Sequence, residues 1–117
     1  MMIEQRIKEY LEKKLNIPVR LMYPEKRPKT FVVIQRMTGG DETNFLASAP
    51  FSIASIAPSL FEAMKLDHQI FTAMRSIADG ENITGIHYDG GGNWTDPTSG
   101  QYRYRSYYTI RYYEEDM

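Results

Sequence analysis

The stretch Tyr88-Asp89-Gly90-Gly91-Gly92-Asn93-Trp94-Thr95-Asp96-Pro97-Thr98-Ser99-Gly100, followed by Gln101-Tyr102-Arg103-Tyr104-Arg105-Ser106-Tyr107-Tyr108-Thr109-Ile110-Arg111-Tyr112-Tyr113, decides the fold. Its second half is a long strand, and strand side chains alternate between faces with period two. Tyr102, Tyr104, Ser106, Tyr108, Ile110 and Tyr112 therefore share a face fit for a core. Arg103, Arg105, Tyr107, Thr109, Arg111 and Tyr113 share the other, which carries three guanidinium groups with aromatic neighbours. The first half reads as a polar hairpin loop from Asp89 to Gly100. It exceeds the usual connection of about two to five residues, and its glycines make it mobile. Trp94, alone among polar residues there, suits a partner's pocket.

Residues 2 to 15 upstream read as an amphipathic helix, with Ile3, Ile7, Leu11 and Leu15 recurring every four positions. Glu4 with Lys8, and Glu9 with Lys13, have the spacing of exposed ion pairs. Asn16 stops the helix, and Ile17-Pro18 cannot easily continue it. Strands are expected over about Val19–Tyr23, Thr30–Arg36 and Asn44–Ile56. The segment Pro24 to Pro28 breaks the first from the second, and Thr38-Gly39-Gly40-Asp41 signals a turn. Pro50 implies a bend, a bulge or an edge position in the third. Ser59-Leu60-Phe61-Glu62 matches a capping box and opens a second helix. Its apolar arc includes Leu60, Ala63, Met64, Leu66, Ile70 and Met74, and Gly80 closes it. A fourth strand, about Ile83–Tyr88, and the tyrosine-rich fifth form the hairpin. The order α-β-β-β-α-β-β predicts an α+β two-layer sandwich: a mainly antiparallel sheet of about four to five strands with two helices on one face.

The 117 residues make one domain, spanning 1–117. Fourteen Lys and Arg nearly balance fifteen Asp and Glu, so bulk charge favours neither nucleic acid nor membrane, and any basic site is local. The absence of cysteine excludes a disulfide framework, a thiolate nucleophile and a Cys-based zinc site. The first residues are polar and do not read as a signal peptide. No apolar run is long enough to cross a bilayer.

The candidate chemistry is sparse. Asp67 falls inside the apolar arc of the second helix, as an acid of raised pKa or as a half-buried residue at an interface or bonded to a neighbouring backbone or tyrosine hydroxyl. The second reading is favoured, because no histidine or second carboxylate shares that face. His68 and His87 lack a third ligand for a metal. Gly90-Gly91-Gly92 lies between strands and lacks the lysine of a phosphate loop. No catalytic, cofactor-binding or metal-binding set is therefore assigned, and no enzymatic activity is expected. The face carrying Arg103, Arg105, Tyr107 and Arg111 is read first as a protein contact, where Tyr and Arg are enriched. A solvated face and a surface that stacks bases and pairs phosphates are the alternatives.

Several segments resemble the tail-terminator family of long-tailed bacteriophages and prophages, the small tail-completion and head-to-tail joining proteins. They are Leu15-Asn16-Ile17-Pro18-Val19, the Pro24–Pro28 connector leading into Phe31-Val32-Val33-Ile34-Gln35-Arg36, Gly39-Gly40, and Ser59-Leu60-Phe61-Glu62-Ala63. The most specific is Asn93-Trp94-Thr95-Asp96 followed by Tyr102-Arg103-Tyr104-Arg105, similar to a family ending in which an N-[FW]-T-D loop precedes an R-Y-R-Y strand. The Pro50 stretch departs from the family's plainer alternation.

The resemblance implies a structural virion protein that forms a ring, with a hexamer as the family-based expectation. The ring sits at the head-proximal end of the tail tube, ends tube growth and joins the tail to the head–tail connector. Expected partners are further copies of the chain, the tube protein and the connector protein. DNA passes through the lumen without sequence-specific binding, and no membrane or cofactor is involved. The expected location is the virion tail, with assembly in the host cytoplasm. Trp94, Asp96, Arg103, Arg105, Tyr107 and Arg111 are the candidates for partner contact and self-association. The alternatives are a head-side connector adaptor (a head-completion protein) and a small sheet-face nucleic-acid-binding module.

Overall fold

A computed structural model describes residues 2–43, 46–79, 82–96, 98 and 100–113. Helix α1 spans Ile3–Leu15, and strands β1 (Val19–Arg20), β2 (Phe31–Arg36), β3 (Asp41–Thr43) and β4 (Leu46–Ala57) follow. Helix α2 (Leu60–Met74), a 3-10 turn over Ile77–Asp79, and strands β5 (Ile83–Asn93) and β6 (Tyr102–Tyr113) complete the chain. The architecture is α+β, with two helices and a six-stranded, mostly antiparallel sheet in the order β1-β2-β4-β6-β5, with β3 paired to β4.

Both helices pack on one face. Ile3, Ile7 and Leu11 of α1 and Leu66, Ile70 and Met74 of α2 join Val32, Ile34, Phe51, Ile53, Tyr108, Ile110 and Tyr112 in one core. Asn16 ends α1 in the left-handed conformation (φ 55°, ψ 40°), its N–H donating to the Glu12 carbonyl. An asparagine tolerates that geometry because its short polar side chain adds little steric cost. Lys8 pairs with Glu12 at 2.6 Å, rather than with Glu4. Ser59 caps α2, its hydroxyl oxygen accepting from the Glu62 N–H at 3.2 Å. The helix ends at Met74 and tightens into the 3-10 turn; Gly80, expected to close it, lies outside the described residues.

Several strand expectations are corrected. The sheet has six strands, because Asp41–Thr43 at the edge of the expected turn pairs with Ser48–Leu46. Gly40 makes that return possible: its φ is +92°, and a Cβ there would lie 2.1 Å from the Ser48 carbonyl oxygen. β1 is only two residues long and parallel to β2. Pro50 is neither bulged nor at an edge. It sits in the unbroken β4–β6 ladder opposite Thr109. Its carbonyl accepts from Met37 N–H on the β2 side. In an antiparallel strand a residue's N and C=O point the same way. The missing proline N–H therefore faces away from β6, towards the place where the chain leaves the sheet at Gly39-Gly40, and no β4–β6 bond is lost.

The largest correction concerns the glycine-rich segment. Residues 89–93 are strand, not loop, and β5 pairs with β6 as far as Asn93–Tyr104. Two register shifts, between Ile83 and Gly85 and between Tyr88 and Gly90, accommodate the extra residues. The second uses Gly90 at φ +106°. Gly91 lies against Ser106, where a Cβ would come within 2.6 Å of the hydroxyl oxygen and 2.7 Å of the Arg105 carbonyl.

Candidate partner surface on the outer sheet face

The face away from the helices is not uniformly open. Phe31 and Val33 of β2 and Ala54 and Ile56 of β4 form a second buried cluster there, with Tyr23 packed against it. Tyr23 belongs to residues 21–30, which cross this face as a strap between β1 and β2. Its ring meets Phe31 edge-on at 6.4 Å. The strap is tied to the β5–β6 hairpin at two points. Arg103 Nη1 donates to the Tyr23 hydroxyl at 3.0 Å, and Gln101 Nε2 donates to the Pro28 carbonyl at 3.2 Å. Arg103 and Arg27 both place guanidinium carbons over the Tyr23 ring, at 5.4 and 5.2 Å from its centroid.

The hairpin tip is built by side chains acting on backbone. Trp94 N–H donates to the Arg103 carbonyl at 2.8 Å, and Arg103 Nε returns a bond to the Trp94 carbonyl at 2.9 Å. Asn93 accepts from Thr95 N–H at 3.0 Å, and Asp96 from Thr98 N–H at 2.9 Å. These turns close on the side chain two residues back. The Thr98 backbone and hydroxyl donors hold the Asp96 carboxyl below the usual carboxylate range. Trp94 is half exposed, and Arg105 stacks its guanidinium 4.9 Å from the indole centroid. Arg105 Nε is buried and makes no hydrogen bond among the described residues.

Strand register explains how these long side chains fit. Gly92 pairs with Arg105, Gly90 with Tyr107 and Gly85 with Arg111. A Cβ at Gly90 or Gly92 would have no neighbour within 4 Å, so Arg105 and Tyr107 stand beside an open flank of the sheet. Arg111 is exposed near the other end of β6, beside a shallow hollow of about 380 Å³ that includes His87 and Thr109. Asp89 accepts there from Thr109 Oγ1 at 2.6 Å and from His87 Nδ1 at 2.7 Å. The Thr109 bond, followed by the His87 contacts, lowers its pKa.

The six contact candidates therefore fall into two groups. Trp94, Asp96, Arg103 and Arg105 gather at the hairpin tip, while Tyr107 and Arg111 lie progressively further along the same face. Sequence reasoning missed Tyr23 and Arg27, which complete the first group. The signal was present in the cation- and proline-rich run Pro24-Glu25-Lys26-Arg27-Pro28-Lys29.

Asp67 lies on the opposite, helical side. It is nearly buried and accepts from the Ser106 hydroxyl at 2.5 Å, so its partner is a serine. Burial pushes its carboxyl above the usual carboxylate range, against the Ser106 bond and the nearby His68. The Tyr108 hydroxyl is buried without a hydrogen bond among the described residues, and burial with the Asp67 charge raises its pKa. Among the described residues no group of three or more His, Asp and Glu side chains could hold a metal, and no helix is long and apolar enough to cross a membrane. No protein-family model matches the sequence, and comparison with curated proteins gives no match.

Proposed function

We propose that the chain is a structural protein of a long-tailed bacteriophage or prophage. It forms a ring at the head-proximal end of the tail tube and joins the tube to the head–tail connector. The observation that carries the reading is the hairpin tip. There a half-exposed Trp94 is stacked by Arg105 and fixed through its backbone to Arg103. An aromatic side chain held in place before binding loses little freedom on contact, which suits an anchor in a protein interface. The resemblance in Asn93-Trp94-Thr95-Asp96 and Tyr102-Arg103-Tyr104-Arg105 falls on this same structure.

Purified protein added to growing tail tubes tests the proposal. Tubes should stop lengthening and carry a ring at one end by negative-stain imaging, and Trp94→Ala should remove both effects. Binding to head connectors without binding to tubes would assign the chain to the head side instead. Binding to neither would sink the proposal.

A further inference from the structure

Strand β5 is an open edge of the sheet. Among the described residues its only strand neighbour is β6. It holds no lysine, arginine or proline to deter a further strand. The direction of its backbone groups follows from the register. Trp94 N–H donates to the Arg103 carbonyl, and Tyr113 N–H to the Asn82 carbonyl. In an antiparallel pair, residues that exchange such bonds alternate with residues that do not. Ile86, Tyr88, Gly91 and Asn93, opposite Ile110, Tyr108, Ser106 and Tyr104, are of the second kind. Their N–H and C=O groups point away from β6, along the free edge. The steps between them are two, three and two residues, the middle one lengthened by the register shift at Asp89. Tyr88 is exposed on this strand, and its ring meets Phe71 of α2 at 5.2 Å. Met64, two helical turns before Phe71 on the same flank, is exposed as well.

We infer that β5 binds β5 of a second copy: the two strands pair antiparallel about a two-fold axis, and the sheets join into one with the helices of both copies on the same face. The pairing is isologous, the same patch serving on both sides. Steps of two, three and two residues are the same from either end. The second copy therefore meets the edge group for group, Ile86 against its Asn93 and Tyr88 against its Gly91. A regular strand would leave the extra residue unmatched, as β6 does. The side chains fit the same register. Each Tyr88 stands beside Gly91 of the other copy on the helix side. Each His87 stands beside Gly92 of the other copy on the outer side, where a Cβ would have no neighbour within 4 Å. An aromatic side chain across the ladder covers the bare backbone of a glycine. The Asp89 carboxyls do not oppose each other, because each is turned back onto Thr109 and His87 of its own chain. The exposed Met64 flanks of the two α2 helices face one another over the junction. Among the described residues the other side of the sheet offers β5 only the two residues of β1 and the three of β3, so a head-to-tail pairing would match little of its length. The inference goes beyond the proposed ring and depends neither on it nor on its viral setting. The hairpin tip from Trp94 to Arg103 lies outside the paired segment.

The chain has no cysteine, so introduced ones report the register directly. Between copies, positions 87 and 92 are opposite each other, within the Cα separation of about 4.4–6.8 Å that a disulfide spans. Within one chain they are roughly 15 Å apart along the strand, beyond that reach. His87→Cys and Gly92→Cys are each checked for an unchanged melting temperature, mixed under reducing conditions and then oxidised. The mixture should give a disulfide-linked dimer on non-reducing gels, and neither variant alone should. Sedimentation equilibrium on the full chain is the second measurement. The wild type should dimerise, and His87→Lys/Gly92→Lys should raise the dissociation constant about tenfold, because like charges then oppose each other at two places. An equimolar mixture with His87→Glu/Gly92→Glu should restore wild-type affinity. Equal cross-linking of the single variants and the mixture overturns the inference, and so does a wild type that stays monomeric at all concentrations. Rings by negative-stain imaging without the mixture-specific cross-link would remove this edge contact and leave the proposed ring standing. The cross-link in a protein that has no effect on tail tubes would do the reverse.

Discussion

Arg103 and Tyr23, eighty residues apart in sequence, are joined by a 3.0 Å hydrogen bond from guanidinium to phenol oxygen, with the same guanidinium 5.4 Å from the ring centroid. This contact holds the strap over Phe31 and Ile56, which are 0% and 2% exposed. It makes the hairpin arginines part of the fold as well as part of the surface.

Tyr23→Phe should therefore destabilise the protein by about 1 kcal/mol, the worth of one hydrogen bond to a charged group that is partly solvated. Tyr23→Ala should cost on the order of 3 kcal/mol, because it also uncovers the apolar cluster. Urea unfolding midpoints measure both. The pair Arg103→Glu and Arg105→Glu should lower stability too, because it removes the Tyr23 bond and the Trp94 stack. Equal stability of Tyr23→Ala and wild type would show that the strap is not held as described.

Gly91→Ala should destabilise by about 1–3 kcal/mol through overpacking, because its Cβ would meet both the Ser106 hydroxyl and the Arg105 backbone. The comparison is Gly92→Ala, where the Cβ meets open space. That change should shift the thermal midpoint far less. Equal effects at the two positions would remove the packing explanation.

Asp67 gives a pH dependence whose sign is fixed by its environment. Its pKa in the folded chain is raised above the usual carboxylate range, chiefly by burial. Between the unfolded and folded pKa values the native state binds the extra proton, so stability falls as pH rises through that window and levels off above it. Asp67→Asn keeps an oxygen to accept from Ser106 and carries no charge. Its stability relative to wild type should be greatest above the window and shrink as pH falls towards 4. Parallel stability profiles of the two proteins from acid to neutral pH would contradict this account.

Trp94→Ala should leave the fold intact, since the residue is half exposed and outside both buried clusters. The expected loss is about 0.5–1 kcal/mol from the Arg105 stack. Far-UV circular dichroism and the melting temperature check it. Collapse of the fold would mean that the hairpin tip is structural and would undercut its reading as a contact site.

Much of the fold was legible because it is written in local periodicity. The alternation in Tyr102–Tyr113, the capping serine at 59 and the asparagine stop at 16 each depend on neighbours within a few residues. Gly90-Gly91-Gly92 misled for the same reason: glycine reads locally as a turn. Its role here depends on Tyr107, Ser106 and Arg105 across the ladder. Pro50 was misplaced because only the Met37 contact reveals which way its nitrogen points. For the candidate surface, alternation put the arginines on one face, but it could not reveal that Arg103 and Arg105 rest on Tyr23 and Trp94. The first of these partners lies across the eighty-residue separation, which no local pattern encodes.

The position of β6 between β4 and β5 also governs when the sheet can exist during synthesis. Ile53 pairs with Ser106, and twelve such pairs span the β4–β6 ladder. Among the described residues β5 has no other neighbour in the sheet. Until β6 leaves the ribosome, β4 has only β2 and β3 beside it and β5 has none. Contacts of this sequence separation slow folding, since the intervening chain must be ordered before they form. A nascent chain stalled before residue 102 should therefore be protease-sensitive throughout β5, with protection arriving in one step once the last strand emerges. Gradual protection along the chain would show that the early strands form a stable unit without it.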